Sequence, residues 1–207
     1  MLSKQKIWIY GASGHGKVVL DCLNAGKTQC HAFVDDDPSK TTIIGYPIQN
    51  HRAVDPGHDQ VVFGIGNNKI RKHLAEKHHF HYLTVLHPSA TISPYTKIGE
   101  GTVVFHQSVI QSGTVIGKHC IINTKASVDH DCTIGDFVHI SPGAILCGNV
   151  EVGELSWIGA GAIIIQGIRI GKNVMVGAGA VIIRDVPDNT TIVGNPGKII
   201  KTMPTIE

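Results

Sequence analysis

Thr114-Val-Ile-Gly-Lys-His-Cys-Ile-Ile-Asn-Thr-Lys-Ala-Ser-Val-Asp-His-Asp-Cys-Thr-Ile-Gly-Asp-Phe-Val-His-Ile140 decides the fold. An aliphatic residue returns at every sixth position: Ile116, Ile122, Val128, Ile134 and Ile140. The same phase runs back through Ile110, Val104 and Ile98 to Ile92, and forward through Leu146, Val152, Ile158, Ile164, Ile170 and Val176 to Ile182. Two positions before each aliphatic stands a residue that is almost always small or β-branched, such as Thr102, Ser108, Cys120, Ala126 and Cys132. The position after it is often glycine, as at Gly99, Gly117, Gly135, Gly153, Gly159, Gly171 and Gly177.

Ordinary alternating strands do not hold a six-residue phase for so long. A three-sided coil does. Each side is a short strand with one aliphatic pointing inward and a small residue near the corner, and the following glycine is expected to accept corner angles that a Cβ opposes. Three sides make a coil of about 18 residues stacking at ~4.8 Å, so residues 90–183 hold about five coils. A single coil cannot bury its inner face, and the array is stable only as a stack.

The rest of the composition agrees. The 207 residues are 42% hydrophobic but only 5% aromatic, which suits a regular core of Val, Ile, Leu and Ala. The formal charge of +2 argues against nucleic acid or an anionic membrane as main partner. Five cysteines without a CxxC pair fit reduced thiols better than a disulfide framework. Met1–Tyr10 contains no apolar run long enough for a signal peptide or membrane span, so the expected compartment is the cytoplasm.

Residues 1–86 read as a small Rossmann-like α/β domain and residues 87–207 as the coil domain with its C-terminal cap, the repeat breaking after Ile183. Strands are expected at Lys6–Tyr10, His31–Val34 and Gln60–Ile65, and helices over Val18–Ala25 and Lys69–Lys77. Gly11, Gly14 and Gly16 lie between the first strand and helix, where backbone N–H groups meet a phosphate. Their spacing is GxxGxG and no full dinucleotide-binding fold follows, so a nucleotide diphosphate or nucleotide-sugar fits better than NAD; a tight turn without ligand is the alternative. Asp35 and Asp36 stand where ribose or base acceptors are common, or form a solvated acidic cluster before Pro38. Gly64, Gly66 and Asn67 end the next strand at the same sheet edge. His78, His79 and His81 read as a solvated loop rather than a metal site. His130, flanked by Asp129 and Asp131, falls two positions past Val128 and therefore outside the prism, where a carboxylate can orient an imidazole as a base; an exposed polar corner is the competing reading.

Gly11-Ala-Ser-Gly-His-Gly-Lys-Val-Val19, Val128-Asp-His-Asp-Cys-Thr-Ile-Gly-Asp-Phe-Val-His-Ile-Ser-Pro142 and Gly194-Asn-Pro-Gly-Lys198 together resemble the sugar acyltransferases of the sialic acid O-acetyltransferase type. That group includes N-acetyltransferases acting on UDP-linked 4-amino-4,6-dideoxy sugars and on GDP-perosamine. The resemblance covers almost the whole chain and implies a left-handed parallel β-helix, acetyl-CoA as co-substrate and no metal. It implies His130 as general base and Asp131 as its orienting carboxylate. His139 and the Gly148 N–H would meet the thioester carbonyl, and Asn123 and His15 would line the sugar pocket. Gly194, Asn195, Pro196 and Lys198 would help hold CoA, with Gly197 standing where alanine is usual. It also implies a homotrimer with sites between subunits, the glycine loop and His130 coming from one chain and part of the CoA groove from the next.

Transfer to a nucleotide-linked amino sugar is the leading reading, with O-acetylation of a sialic acid or similar sugar as the alternative. A zinc hydratase of the γ-carbonic-anhydrase type would need about three converging histidines, whereas His130 and His139 are half a coil apart. A non-catalytic nucleotide-binding scaffold would not bind CoA.

Overall fold

The computed structural model describes residues 5–202. The head contains β1 (Ile7–Tyr10), α1 (Gly14–Ala25), β2 (Ala32–Val34), β3 (Thr42–Ile43), β4 (Tyr46–Gln49), β5 (Gln60–Phe63), α2 (Asn68–Lys77) and β6 (His81–Tyr82). Their sheet order is β3-β4-β2-β1-β5-β6, parallel except for β3, which pairs antiparallel with β4. The chain crosses from β1 to β2 on one side and later to β5 on the other. The glycine loop after β1 therefore opens at the carboxyl edge of the sheet, where strand order reverses. Helix α1 starts at Gly14, earlier than the expected Val18, so Gly14 and Gly16 lie in its first turn. The β3–β4 hairpin gives no sequence warning. Its two-residue turn is Ile44-Gly45, both at positive φ, and a β-branched residue is a poor occupant of such a turn.

From Val85 to Ile182 the chain forms two-residue strands in three parallel sheets, and Thr190–Val193 and Lys198–Thr202 close the stack as an antiparallel pair. The first face carries the strands beginning at Val85, Val103, Ile121, His139, Trp157 and Met175. The second carries those at Thr91, Val109, Ser127, Ile145, Ile163 and Val181, and the third those at Lys97, Val115, Thr133, Glu151 and Arg169. Each strand pairs with its equivalent one coil away, as Val115 does with Lys97 and Thr133. Val85–Leu86 already pair with Val103–Val104, so the prism begins ahead of residue 87.

The inward aliphatics from Val104 to Ile182 form one continuous buried core, with Ile92 and Ile98 partly buried at its lower end. The small residues two positions earlier do more than save space. Thr114 Oγ1 donates to the Asp129 carbonyl at 2.7 Å and accepts the Cys132 N–H at 3.1 Å, bridging coils at a corner the backbone leaves unpaired. Thr102 and Ser156 make the same two-way bridge, and the thiols of Cys120 and Cys132 donate in the same direction.

The glycines after the aliphatics have a different cause from the one expected. Gly117 has no positive φ; a Cβ on it would meet Gly135 C and Asp136 N of the next coil at 2.7 Å, so close stacking excludes a side chain. The left-handed corner residue lies three positions past the aliphatic. Gly takes it at Gly113 and Gly143, but so do His119, Asp131, Phe137 and Leu155. There the N–H points down the stack and is paired, as in His119 to Glu100 O (2.9 Å) and Asp131 to Ser112 O (3.0 Å), which offsets the unfavourable angle.

The head covers the first face. Val19, Leu20, Cys22 and Leu23 of α1 share one core with Val85, Val103, Phe105 and Ile121. Helix α2 adds polar ties: Asn68 Nδ2 donates to the Leu155 and Ser156 carbonyls (3.0 and 3.1 Å), and Lys72 pairs with Glu154 at 2.6 Å. The second face carries exposed Ile145 and Ile163, whereas the third is mostly polar.

Candidate active site

Residues 129–132 turn the corner between the second and third faces. Asp131 takes the left-handed position (φ 58°), which an aspartate tolerates better than most residues. Its carboxylate lies against His130, Oδ2 to Nδ1 at 2.9 Å, while the His130 N–H donates to Asp129 Oδ1 at 2.8 Å. A carboxylate only accepts, so Nδ1 carries the proton and Nε2 of the neutral ring keeps its lone pair. The hydrogen bond to Asp131 raises the imidazole pKa, with the charges of Asp129 and Asp131 adding to it against partial desolvation. One coil above stands Gly148, where a Cβ would meet the imidazole; one coil below, a Cβ on Gly113 would meet Asp131 Oδ1. The Gly148 N–H makes no hydrogen bond among the described residues.

A second cluster forms at the corner between the first and second faces, beside the head. His139 is 5% exposed and stacks on Trp157 (4.6 Å), whose Nε1 donates to Ser141 Oγ at 2.7 Å. Asn123 Oδ1 accepts the Thr124 N–H (2.8 Å), which fixes the amide so that Nδ2 donates to His139 Nε2 (3.0 Å). His139 is therefore the Nδ1–H tautomer, with Nδ1 buried beside the backbone of Gly66. Burial, helped by Arg71 and His15, lowers its pKa to about 3. His15 packs on Phe105 (5.3 Å) and faces His139 (6.1 Å), with a pKa lowered to about 4, chiefly by burial.

His130 lies with Asp131, and His15 and Asn123 both lie by His139, but the expected pair of His139 and Gly148 stands at different corners within one chain. His15, Asn123 and His139 sit beside the head, and His130, Asp131 and Gly148 at the next corner, across one side of the prism or roughly 15–20 Å of extended chain. The expectation that the glycine loop and His130 of one chain share a site is corrected. The head covers the first face, and the corner of residues 129–132 is the one opposite that face.

In the glycine loop, Gly11 (φ 118°) packs against Ile65 and Gly64, and a Cβ on Gly16 would meet Gly11 O, so backbone alone fits. Gly14 borders open space, Ser13 makes no side-chain cap, and the first turn of α1 has no acidic residue. The helix N-terminus is thus shaped and charged for an anion. Asp35 is half-buried and Asp36 exposed, and both carboxylates are engaged. Asp35 accepts the Ala12 N–H (3.0 Å) and pairs with Lys40 (2.8 Å); Asp36 accepts from Tyr10 Oη (2.6 Å) and contacts His51 Nδ1 (2.7 Å). They brace the loop. Asn67 caps α2 through Ile70 N–H (3.1 Å) and, near Trp157 and Met175, lines a cleft of about 260 Å³; Gly66 borders open space.

At the far end, Pro196, Gly197 and Lys198 line a cleft of about 450 Å³ with Ile182, Ile183, Arg184 and Asp185, next to Gly194 and Asn195. A Cβ on Gly197 would press on Ile182 Cδ1 at 2.8 Å, which accounts for the smaller residue there. Among the described residues no three His, Cys, Asp or Glu side chains gather as metal ligands, and no helix is long and apolar enough to cross a membrane.

Residues 6–78 match the PglD N-terminal domain model, and residues 149–184 match the bacterial transferase hexapeptide model (six repeats). The acetyltransferase domain of PglB from Neisseria gonorrhoeae, solved in complex with acetyl coenzyme A, is 40% identical, with 96% of this chain and 100% of that one covered and a TM-score of 0.90. The chain belongs to the PglD-type family of hexapeptide-repeat acetyltransferases. Another family structure, PerB from Caulobacter crescentus in complex with CoA and GDP-perosamine, is 38% identical over 97% of this chain and 100% of that one, with a TM-score of 0.90. UDP-N-acetylbacillosamine N-acetyltransferase of Bacillus subtilis is 41% identical over 113 residues, 48% of this chain and about half (51%) of that protein.

Within this PglD-type framework, sequence reading alone missed Phe105, Ser141, Trp157 and Arg71. The first three were within reach: stepping by the coil length leads from His139 to Trp157, and from Phe105 through Asn123 to Ser141. Arg71 gave no signal, being one basic residue in a basic helix.

Proposed function

We propose that this chain is an acetyl-CoA-dependent N-acetyltransferase acting on a nucleotide-linked 4-amino-4,6-dideoxy sugar, working as a cytoplasmic homotrimer. The observation that carries the reading is the His130–Asp131 dyad held beneath an unpaired Gly148 N–H. The family's complexes with CoA and GDP-perosamine support the substrate class. The exposed aliphatics of the second face support three-fold packing, which would bring the His130 corner of one chain to the His139 and glycine-loop side of its neighbour.

In the reaction, the neutral 4-amine attacks the thioester carbonyl, His130 Nε2 accepts the amine proton, and the C–S bond breaks from the tetrahedral intermediate. The same imidazole then returns the proton to the leaving thiolate. Asp131 keeps the ring in the accepting tautomer and stabilises its protonated form. The Gly148 N–H, with the neighbour's His139 cluster, faces the carbonyl oxygen as it gains charge; one such donor is worth roughly 3 kcal/mol. The head holds the acceptor's diphosphate on the N-terminus of α1, and the cap cleft with Lys198 and Arg184 receives the far end of CoA.

The test is thiol release from acetyl-CoA against UDP-, GDP- and dTDP-linked 4-amino sugars, with free sialic acid in parallel. Turnover with a nucleotide-linked amino sugar is expected. Release with sialic acid and none with any amino sugar would overturn the reading in favour of O-acetylation.

A further inference from the structure

Arg71 is 1% exposed where α2 meets the prism. Nε donates to His119 O (3.0 Å), Nη1 to the carbonyls of Ile65 and Gly66 (3.0 and 3.1 Å), and Nη2 to Asn68 Oδ1 and Phe137 O (both 3.1 Å). The donors are satisfied but the charge is not: every acceptor is a neutral oxygen, and Arg71 makes no ion pair among the described residues. Burial lowers its pKa to about 10, so it stays protonated at neutral pH. Dipoles alone compensate a buried charge poorly, and interiors ordinarily supply a counter-charge.

The location is informative. Ile65, whose carbonyl Arg71 holds, is the residue against which Gly11 of the glycine loop packs. The cation also bears on the imidazoles of His15 and His139, helping to keep both neutral. His15 itself belongs to the first turn of α1, whose N-terminus is uncapped and carries no acidic residue there. A clamp between head and prism needs hydrogen bonds only; a permanent cation behind an anion-shaped loop supplies something a clamp does not use.

We infer that Arg71 is a positioning residue whose missing counter-ion is the acceptor's diphosphate on the glycine loop. The inference rests on the nucleotide-sugar reading above. The guanidinium acts through a low-dielectric interior without touching the substrate, fixing the end of β5 and adding long-range attraction to the N–H groups of α1.

The test uses the full chain with Arg71→Met and Arg71→Lys, and UDP, GDP and dTDP as calorimetric probes with acetyl-CoA as internal control. Arg71→Met is expected to weaken the diphosphate that the wild type binds by at least tenfold while acetyl-CoA binding stays constant. In Arg71→Lys the buried ammonium titrates low, so diphosphate binding is expected to fall between pH 7 and 8.5 where the wild type stays flat. If the methionine variant does not fold, that pH dependence decides. A folded methionine variant with wild-type diphosphate affinity, an equal loss for both ligands, or a flat lysine profile would overturn the inference. A wild type that binds none of the three diphosphates would instead remove the nucleotide-acceptor reading itself.

Discussion

The imidazole of His130 rests on the Cα of Gly148, one coil above, so closely that a Cβ there would lie 2.5 Å from Cε1 and 2.6 Å from Nε2. Gly148 has no positive φ, so alanine is acceptable to the backbone. Gly148→Ala is therefore expected to displace the imidazole and lower kcat roughly 100-fold while thermal stability stays near wild type. An unchanged kcat would show that the ring is not held in this position for the chemistry.

Asp131 sets the pH response. Its carboxylate raises the His130 pKa, and the base works only when neutral, so kcat/KM falls on the acid side as pH drops through that value. Asp131→Asn is expected to move the acid limb to lower pH and to cost roughly 10- to 100-fold in kcat, because the tautomer is no longer enforced. A limb that does not move would assign the titration to another group.

Three buried imidazoles govern acid stability. His15 and His119 are lowered to about 4 and His139 to about 3, in each case chiefly by burial. A depressed imidazole contributes fully above its unfolded value and loses that contribution as pH falls toward the folded one, here between about 6.5 and 4 for His15 and His119 and down to about 3 for His139. Melting temperature is expected to decline steadily from pH 6.5 to 5, with up to about 2 kcal/mol lost per group. A flat profile would contradict the neutral, buried assignment.

Because the two halves of the site stand at different corners, inactive variants should complement each other. His130→Ala and His139→Ala, each inactive alone, are expected to regain about a quarter of wild-type activity when co-folded at equal amounts, as random three-fold assembly restores about that share of interfaces. No recovery, with mixed trimers demonstrated by mass, would place the whole site within one chain. Ile145→Asp, on the exposed second face, should yield monomers without activity.

Thr114→Val tests the corner bridges. It strands the Asp129 carbonyl and the Cys132 N–H inside the stack, at an expected cost of about 1–3 kcal/mol in denaturant unfolding. Since Asp129 also holds the His130 backbone, a smaller fall in kcat is expected beside it.

The prism was almost wholly legible in the sequence, because one aliphatic per side leaves a phase that chance does not sustain. The cause of its glycines was not. A one-dimensional pattern shows that a position excludes Cβ, but not whether the obstacle is its own torsion or the coil above, and for Gly117 it is the coil. His130 and Asp131 could be read as a pair because they are adjacent. Which corner faces the head could not, since that depends on α1 and α2 docking through Leu20, Asn68 and Arg71, residues with no repeat to mark them. Asp35 and Asp36 were visible as an acidic pair, but their partners Lys40, Tyr10 and His51 come together only in the folded head.

The uniform climb of the stack makes chain position a ruler. His130, Gly148 and Gln166 follow one another at coil intervals up a single edge, and the cap cleft lies beyond them, about three strand spacings, ~14 Å, above the imidazole. Inserting one residue would rotate everything beyond it to another side of the column, whereas inserting a whole coil would keep every side chain on its own wall and only lengthen the gauge. Evolution can therefore retune the span offered to a long acyl carrier only in whole-storey increments.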